Sequence, residues 1–250
     1  MNIVQTLWSH GSFSTLEKLC AVSFMKNGYE FHLYHYGEIE NVPNGVIMKD
    51  GNEIMPYIKF EHHAQFADMF RYKLLHDKGG WWVDADEICL QRILFEKSPI
   101  IWCRETENGF VSNAIMYAEK GSEIMLDLYR QSCVISEKEK ISYLSLGPPM
   151  VTKYVNEKNL FGTLVSTKLL CPIKGEACIW PFSEGAIRDR IEEYVKNSFT
   201  IHMWKSRCLH IGINFNAEYN GSFYERIKRK YGIIGDGIKA PLIDHLIISC

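Results

Sequence analysis

The chain has almost no surplus charge: its 250 residues hold 28 Lys+Arg against 30 Asp+Glu, a formal net charge of -2. That balance removes any global electrostatic case for a nucleic-acid partner, and the single basic cluster, "RIKRK" from Arg226 to Lys230, reads as a solvated helix face. C-x-x-C pairs are missing too. The eight cysteines (Cys20, Cys89, Cys103, Cys133, Cys171, Cys178, Cys208 and Cys250) sit mostly inside apolar runs, which suits buried free thiols and a reducing compartment. No window approaches the roughly 18 uninterrupted apolar residues of a membrane-spanning helix. The opening "MNIVQTLWSH" enters a strand-like run without a basic n-region or a long apolar h-region. These absences predict a cytoplasmic protein, at most peripheral at the inner face of the plasma membrane. No internal repeat, low-complexity tract or Pro/Ser-rich linker divides the chain. With 46% hydrophobic and 23% charged residues the composition is that of an ordinary soluble globular protein, and 250 residues suffice for one α/β domain with a full core or at most two small domains, of which one is expected.

Ile3 to Trp8 ("IVQTLW") reads as a buried strand followed by the loop "HGSFS". Ser14 and Glu17 are spaced as a capping box, which predicts a helix running to Asn27-Gly28. "YEFHLYHY" (29–36) follows as a strand. Strand, helix and strand in so short a span make a βαβ unit with parallel strands. A second helix is expected from about His62 to His76, its apolar stripe made by Phe66, Met69, Phe70, Leu74 and Leu75, and Gly79-Gly80 ends it. "WWVDADE" is expected to be extended, followed by strands at Pro99–Cys103 and Gly109–Glu119. Helices open at Ser122 and at "GPPMVTKYV", and "NSFTIHMW" is a late strand. The expected organisation is a catalytic domain over 1–225 and a basic helix and tail over 226–250.

The chemistry concentrates at Asp84-Ala85-Asp86. In an extended chain both carboxylates point to one side and Ala85 points back into the fold. Two such charges held together repel unless a cation intervenes, and the pair suits Mg²⁺ or Mn²⁺, ions that usually also hold substrate phosphates. A strand of an α/β sheet that ends on this pair would place the ion in the crevice beyond the strand ends. The tripeptide alone is weak, and its setting adds Asp68 and Arg71, three residues apart on one helix face.

The segment "FADMFRYKLLHDKGGWWVDADEICL" resembles the signature of the DXD-containing sugar-transferase superfamily. That superfamily includes capsular-polysaccharide-synthesis transferases, yeast-type mannosyltransferases, lactosylceramide α-galactosyltransferases and the large glucosylating toxins. The match falls on Ala67, Asp68, Arg71, Tyr72, Gly79, Gly80, Trp82, Val83, Asp84 and Asp86. Three flanking stretches extend it: "VQTLWSHG", with Trp8 ending the first strand; "LGPPMVT", with Gly147 and Pro148; and "TIHMWKS", with His202 in an H-x-W arrangement.

The resemblance implies an α/β protein of the GT-A type with a Rossmann-like, mostly parallel central sheet. It implies a retaining transfer of a hexose from a nucleotide diphosphate sugar, with a UDP-sugar as the expected donor, to a glycan or lipid-linked saccharide. Mn²⁺ or Mg²⁺ would be held by Asp84, Asp86 and His202, with Asp84, Asp86 and Arg71 as catalytic residues. Donor binding falls to Trp8, His10, Asp68, Arg71, Tyr72, Trp82, Asn113, Gly147 and Pro148. The expected setting is bacterial capsule or lipopolysaccharide synthesis, with Arg226, Lys228, Arg229 and Lys230 meeting anionic lipid. Two other readings remain open. One is a metal-dependent nucleotidyltransferase, against which stands the lack of a Gly-rich phosphate loop near the start. The other is an inactive sugar-binding module. No Asp or Glu is marked as a nucleophile.

Overall fold

The structure, a computed structural model, describes residues 2–95, 98–137 and 142–240. Its strands are β1 (Ile3–Leu7), β2 (Gly11–Ser12), β3 (Glu30–His35), β4 (Ile39–Glu40), β5 (Ile47–Asp50), β6 (Gly80–Val83), β7 (Glu87–Cys89), β8 (Ile100–Cys103), β9 (Ile115–Ala118), β10 (Leu164–Val165) and β11 (Thr200–His202). The helices are α1 (Thr15–Lys26), α2 (His63–Lys78), α3 (Glu123–Ser136), α4 (Pro148–Glu157), α5 (Thr167–Leu170), α6 (Gly185–Val195), α7 (Lys205–His210) and α8 (Phe223–Tyr231).

Seven strands form one sheet in the order β10-β8-β9-β6-β1-β3-β5. Pairing is parallel for β1 with β3 and β6, for β3 with β5 and for β8 with β10; only β9 runs antiparallel to its neighbours β6 and β8. This is the mostly parallel α/β sheet expected from the sequence. Its central strands β6, β8 and β9 are buried on both faces, so they read as apolar runs rather than as alternation. Trp81 and Val83 enter the core on the α1 side, and Trp82 enters the opposite core under α2 and α3. Ile100 to Cys103 and Ile115 to Ala118 alternate in the same way. The double tryptophan therefore serves both faces, and Trp→Ala at either position costs about 3–5 kcal/mol.

Local chemistry sets the main joints. Ser14 and Glu17 form the capping box that starts α1. Gly79 leaves α2 at φ +70, where a Cβ would lie 2.5 Å from the Lys120 backbone nitrogen, so only glycine lets the chain turn into β6 here.

Four expectations need correction. Asp84-Ala85-Asp86 is not extended: a turn closes there, with Glu87 N donating to the Asp84 carbonyl at 3.0 Å. Strand alternation therefore does not bring the two carboxylates together. The strand expected over Gly109–Glu119 is confined to Ile115–Ala118, because residues 109–114 are engaged singly, Val111 N by the Thr152 hydroxyl and Ser112 N by the Cys103 carbonyl. The late strand is Thr200–His202, and it pairs antiparallel with β7 outside the main sheet. The basic cluster is not one solvated face: it lies in α8, which starts at Phe223, ahead of the 225/226 boundary, and packs on α1. Lys228 is 0% exposed and bonds Glu225 and the Ala217 carbonyl, so it is unavailable to a lipid surface. Arg226 bonds Glu192 at 2.6 and 2.8 Å. Residues 238–240 pair with Glu218; the rest of the tail, with Cys250, lies outside the described residues.

Candidate active site

The carboxyl ends of β1 and β6 open into a cleft of about 870 Å³. Asp84 follows β6 directly, the turn delivers Asp86, and β11, hydrogen-bonded to β7, sets His202 opposite Glu87. One ligand atom from each of Asp84, Asp86 and His202 falls within 4.8 Å of the others. The proximity that strand geometry does not supply is thus made by a turn and by a strand more than a hundred residues away in sequence.

Each of these charges is tied down. Asp86 Oδ2 takes the Lys205 backbone N–H at 2.7 Å and lies 3.2 Å from His202 Nε2. Burial pushes Asp86 up, but the charge and hydrogen bond of His202 hold its carboxyl below the usual range. Burial disfavours the imidazolium, yet Asp86 raises His202 well above its ordinary value. Asp84 Oδ1 accepts from Trp82 Nε1 at 2.8 Å and pairs with Arg71 Nη1 at 3.1 Å. Its carboxyl is raised by burial, with Arg71 opposing and Asp86 adding to the rise.

Arg71 is the hub, 3% exposed. Its Nη2 pairs with Asp68 at 3.1 Å, Nη1 donates to the Asn113 carbonyl, Nε donates to the Ala67 carbonyl, and the guanidinium lies 4.8 Å over Trp82. Asp68 and Arg71, three residues apart on one helix face, form a buried ion pair. Burial pushes the Asp68 carboxyl up to about 6 against the pull of Arg71 and the Asn113 hydrogen bond.

Of the residues named from sequence, Trp8, His10, Asp68, Arg71, Trp82, Asn113 and Pro148 line this cleft with Asp84, Asp86 and His202. Tyr72 and Gly147 do not. Tyr72 is fully buried, donates to the Leu146 carbonyl at 2.8 Å and accepts from Asn113, so it supports the wall from behind. Gly147 lies against Asp68, where an added Cβ would be 3.0 Å from Oδ2.

Lys205 and Glu105 escaped the sequence reading. Lys205 Nζ bonds the buried Glu17 at 2.6 Å and sits 4.6 Å from the Trp8 ring centroid, occupying one face of that indole. Glu17 therefore does double duty, capping α1 and anchoring this lysine; the signal was its burial, which a local capping motif does not reveal. Glu105 lines the cleft, and burial raises its carboxyl. Trp204, the tryptophan of the H-x-W arrangement, adopts φ +51, rare for a bulky residue, with its indole donating to the Ile173 carbonyl and stacked 4.3 Å from His202.

The residues present fit a divalent cation. Each aspartate keeps one oxygen that takes no hydrogen bond from another residue among the described residues, and His202 turns Nε2 toward Asp86 while Nδ1 faces the buried Glu87 carboxylate at 3.9 Å. Two carboxylates with an imidazole form a mixed oxygen and nitrogen donor set.

No protein-family model matches the chain, and no curated protein matches it in sequence. Solved structures do match in fold. The chain is similar to the PaToxG glycosyltransferase over 93% of its own length and 85% of that chain, at 13% identity and a TM-score of 0.51. It is similar to the WbbM bifunctional glycosyltransferase over 92% of its length, at 9% identity and a TM-score of 0.50, and there it spans 49% of that chain. The protein thus has the α/β fold of glycosyltransferases, GT-A-like, with an Asp-Asp-His cluster at the mouth of its sheet. Among the described residues no helix is long and apolar enough to cross a membrane.

Proposed function

We infer that the protein is a metal-dependent glycosyltransferase that moves a hexose from a nucleotide diphosphate sugar, a UDP-sugar by the sequence resemblance, to a saccharide acceptor with retention. The observation that carries this reading is the convergence of Asp84, Asp86 and His202 in one deep cleft beside the buried Arg71 network. The mixed donor set favours Mn²⁺ over Mg²⁺, which prefers oxygen ligands alone. When bound, the ion would neutralise charge growing on the departing diphosphate.

The chain's own residues supply the rest. Asp68 and Arg71, held by Asn113, Trp82 and Asp84, present a preorganised polar wall to the donor sugar, the arrangement that lowers reorganisation in the transition state. Trp8, with one face covered by Lys205, offers the other to a nucleobase. Lys205 bonds Asp86 through its backbone N–H and holds its ammonium, paired with Glu17, over Trp8, beside the face where the nucleotide would lie. His202 keeps its ring fixed by stacking on Trp204, and it enters a metal site only as the neutral imidazole, so loading releases a proton. By resemblance, the proton of the acceptor hydroxyl goes to the departing phosphate on the same face.

The test is a thermal-shift and hydrolysis panel of UDP- and GDP-sugars with Mn²⁺. A donor-dependent rise in Tm together with slow release of free sugar supports the reading. The absence of both across the whole panel ends it.

A further inference from the structure

The catalytic carboxylates occupy only the inner part of the cleft. Helix α2 runs along it as a ruler: Arg71 touches Asp84, Asp68 lies about a turn back, then come Ala67, Ala64 and His63, about 12 Å from Arg71 at 1.5 Å per residue. The two alanines are small where a helix surface facing a cleft would otherwise fill it. The segment 142–147 follows the same helix: the Ser142 carbonyl accepts from Gln65, the Leu146 carbonyl from Tyr72, and Gly147 lies against Asp68. Between them a groove leads away from the carboxylates.

The side chains lining the far end of that groove differ in kind. Tyr57, Tyr143 and Leu144 line the cleft while 41%, 44% and 45% exposed. Tyr57 is braced edge-on by Phe66 at 4.9 Å and stands 6.4 Å from His63, and Tyr143 packs edge-on to His62 at 5.3 Å. Among the described residues no carboxylate, ammonium or guanidinium lines this end; burial lowers His63 below its ordinary value, so its imidazole is neutral at neutral pH. All the lysine and arginine of the cleft other than Arg71, namely Lys205 and Arg207, belong to α7 beside Asp86 and His202.

We propose that this end of the cleft, floored by Ala64 and Ala67 and rimmed by Tyr57, Tyr143 and His63, is the acceptor subsite, and that it takes an uncharged pyranoside. The inference rests on the transferase reading and adds where the acceptor lies and what its chemistry is. A braced tyrosine ring presents a partially negative face suited to the C–H-rich face of a pyranose, and the phenol and neutral imidazole serve ring hydroxyls. Among the described residues a phosphorylated or carboxylated acceptor would find no counter-charge here. This end lies beyond Asp68 and Arg71 along α2 and adjoins His10, whose ring centroid is 6.2 Å from that of His63, so the acceptor sits next to the donor with a hydroxyl of the stacked ring facing the reacting carbon.

The experiment uses the intact protein with Mn²⁺ and whichever donor it hydrolyses. Transfer is measured to a panel of methyl hexopyranosides, their 6-phosphates, and serine-, threonine- and tyrosine-containing peptides, for wild type, Tyr57→Ala and Tyr57→Phe. Expected are transfer to at least one neutral pyranoside in preference to its 6-phosphate, an acceptor KM raised at least tenfold in Tyr57→Ala, and recovery to within threefold of wild type in Tyr57→Phe. The donor-nucleotide Kd, followed by calorimetry, separates this from a collapsed site. Transfer only to peptides, preference for the 6-phosphate, or an unchanged acceptor KM in a folded Tyr57→Ala overturns the proposal while leaving the transferase reading standing. No donor turnover by wild type removes both.

Discussion

The two ends of the cleft solve opposite problems. At the inner end, Asp68, Arg71, Asp86 and His202 are charges taken out of water, Asp84 stands at the edge with its side chain 30% exposed, and each has an oppositely charged partner. At the outer end, Tyr57, Tyr143 and Leu144 are partly exposed to water, the two rings braced by neighbouring aromatics. A buried charge without partners costs several kcal/mol, so the inner end is rigid by necessity. Exposed rings contribute little to stability, and their presence at a cleft mouth points to a ligand.

The sharpest way to break this contrast is to remove the hub. Arg71→Met keeps the volume but leaves Asp68 and Asp84 uncompensated, and should destabilise the fold by about 3–5 kcal/mol in urea unfolding; a loss under 1 kcal/mol would mean that the inner end is not the interlocked unit described. Next comes Asp86→Asn, which keeps an acceptor for the Lys205 N–H while losing the charge. Donor turnover should fall by about 10²–10³-fold with Tm retained, and Mn²⁺ binding followed by paramagnetic resonance should weaken in parallel.

Asp68→Asn sharpens the comparison through pH. The folded Asp68 carboxyl titrates at about 6 against an ordinary 3.8. Because its folded value is the higher one, the stability it contributes is complete below about pH 3.8 and lost as pH rises through about 6. The variant should flatten this part of the stability profile, and identical slopes for the two proteins would refute the assignment. The smallest effect belongs to the outer end: Tyr143→Ser should change stability by less than about 0.5 kcal/mol. A larger loss would make that ring a packing element rather than a binding one.

Much of the fold was legible because its signals are local. The capping box of Ser14 and Glu17, the glycine exit at Gly79 and the apolar runs of β1, β6 and β8 each follow from a few neighbouring residues. The site was legible less evenly. Asp84 and Asp86 stood out by spacing, yet the extended geometry expected for them gave way to a turn. The strand expected over 109–119 shortened because Val111 and Ser112 are held by α4 and β8, partners that sequence periodicity does not encode. Lys228 looked like a surface charge because its neighbours in sequence are basic; its neighbours in space are a carboxylate and a carbonyl.

The sequence by itself determined the α/β alternation, the carboxylate pair and the helix that carries Asp68 and Arg71, since each depends on spacing along a few turns of chain. Only the tertiary structure decided that Arg71 is buried between two aspartates, that β11 brings His202 to Asp86, and that Lys205 links Glu17 to Trp8. Those contacts join residues as far apart in sequence as Trp8 and Lys205. Their strength comes from shared burial, a property of the packed molecule that no local pattern carries.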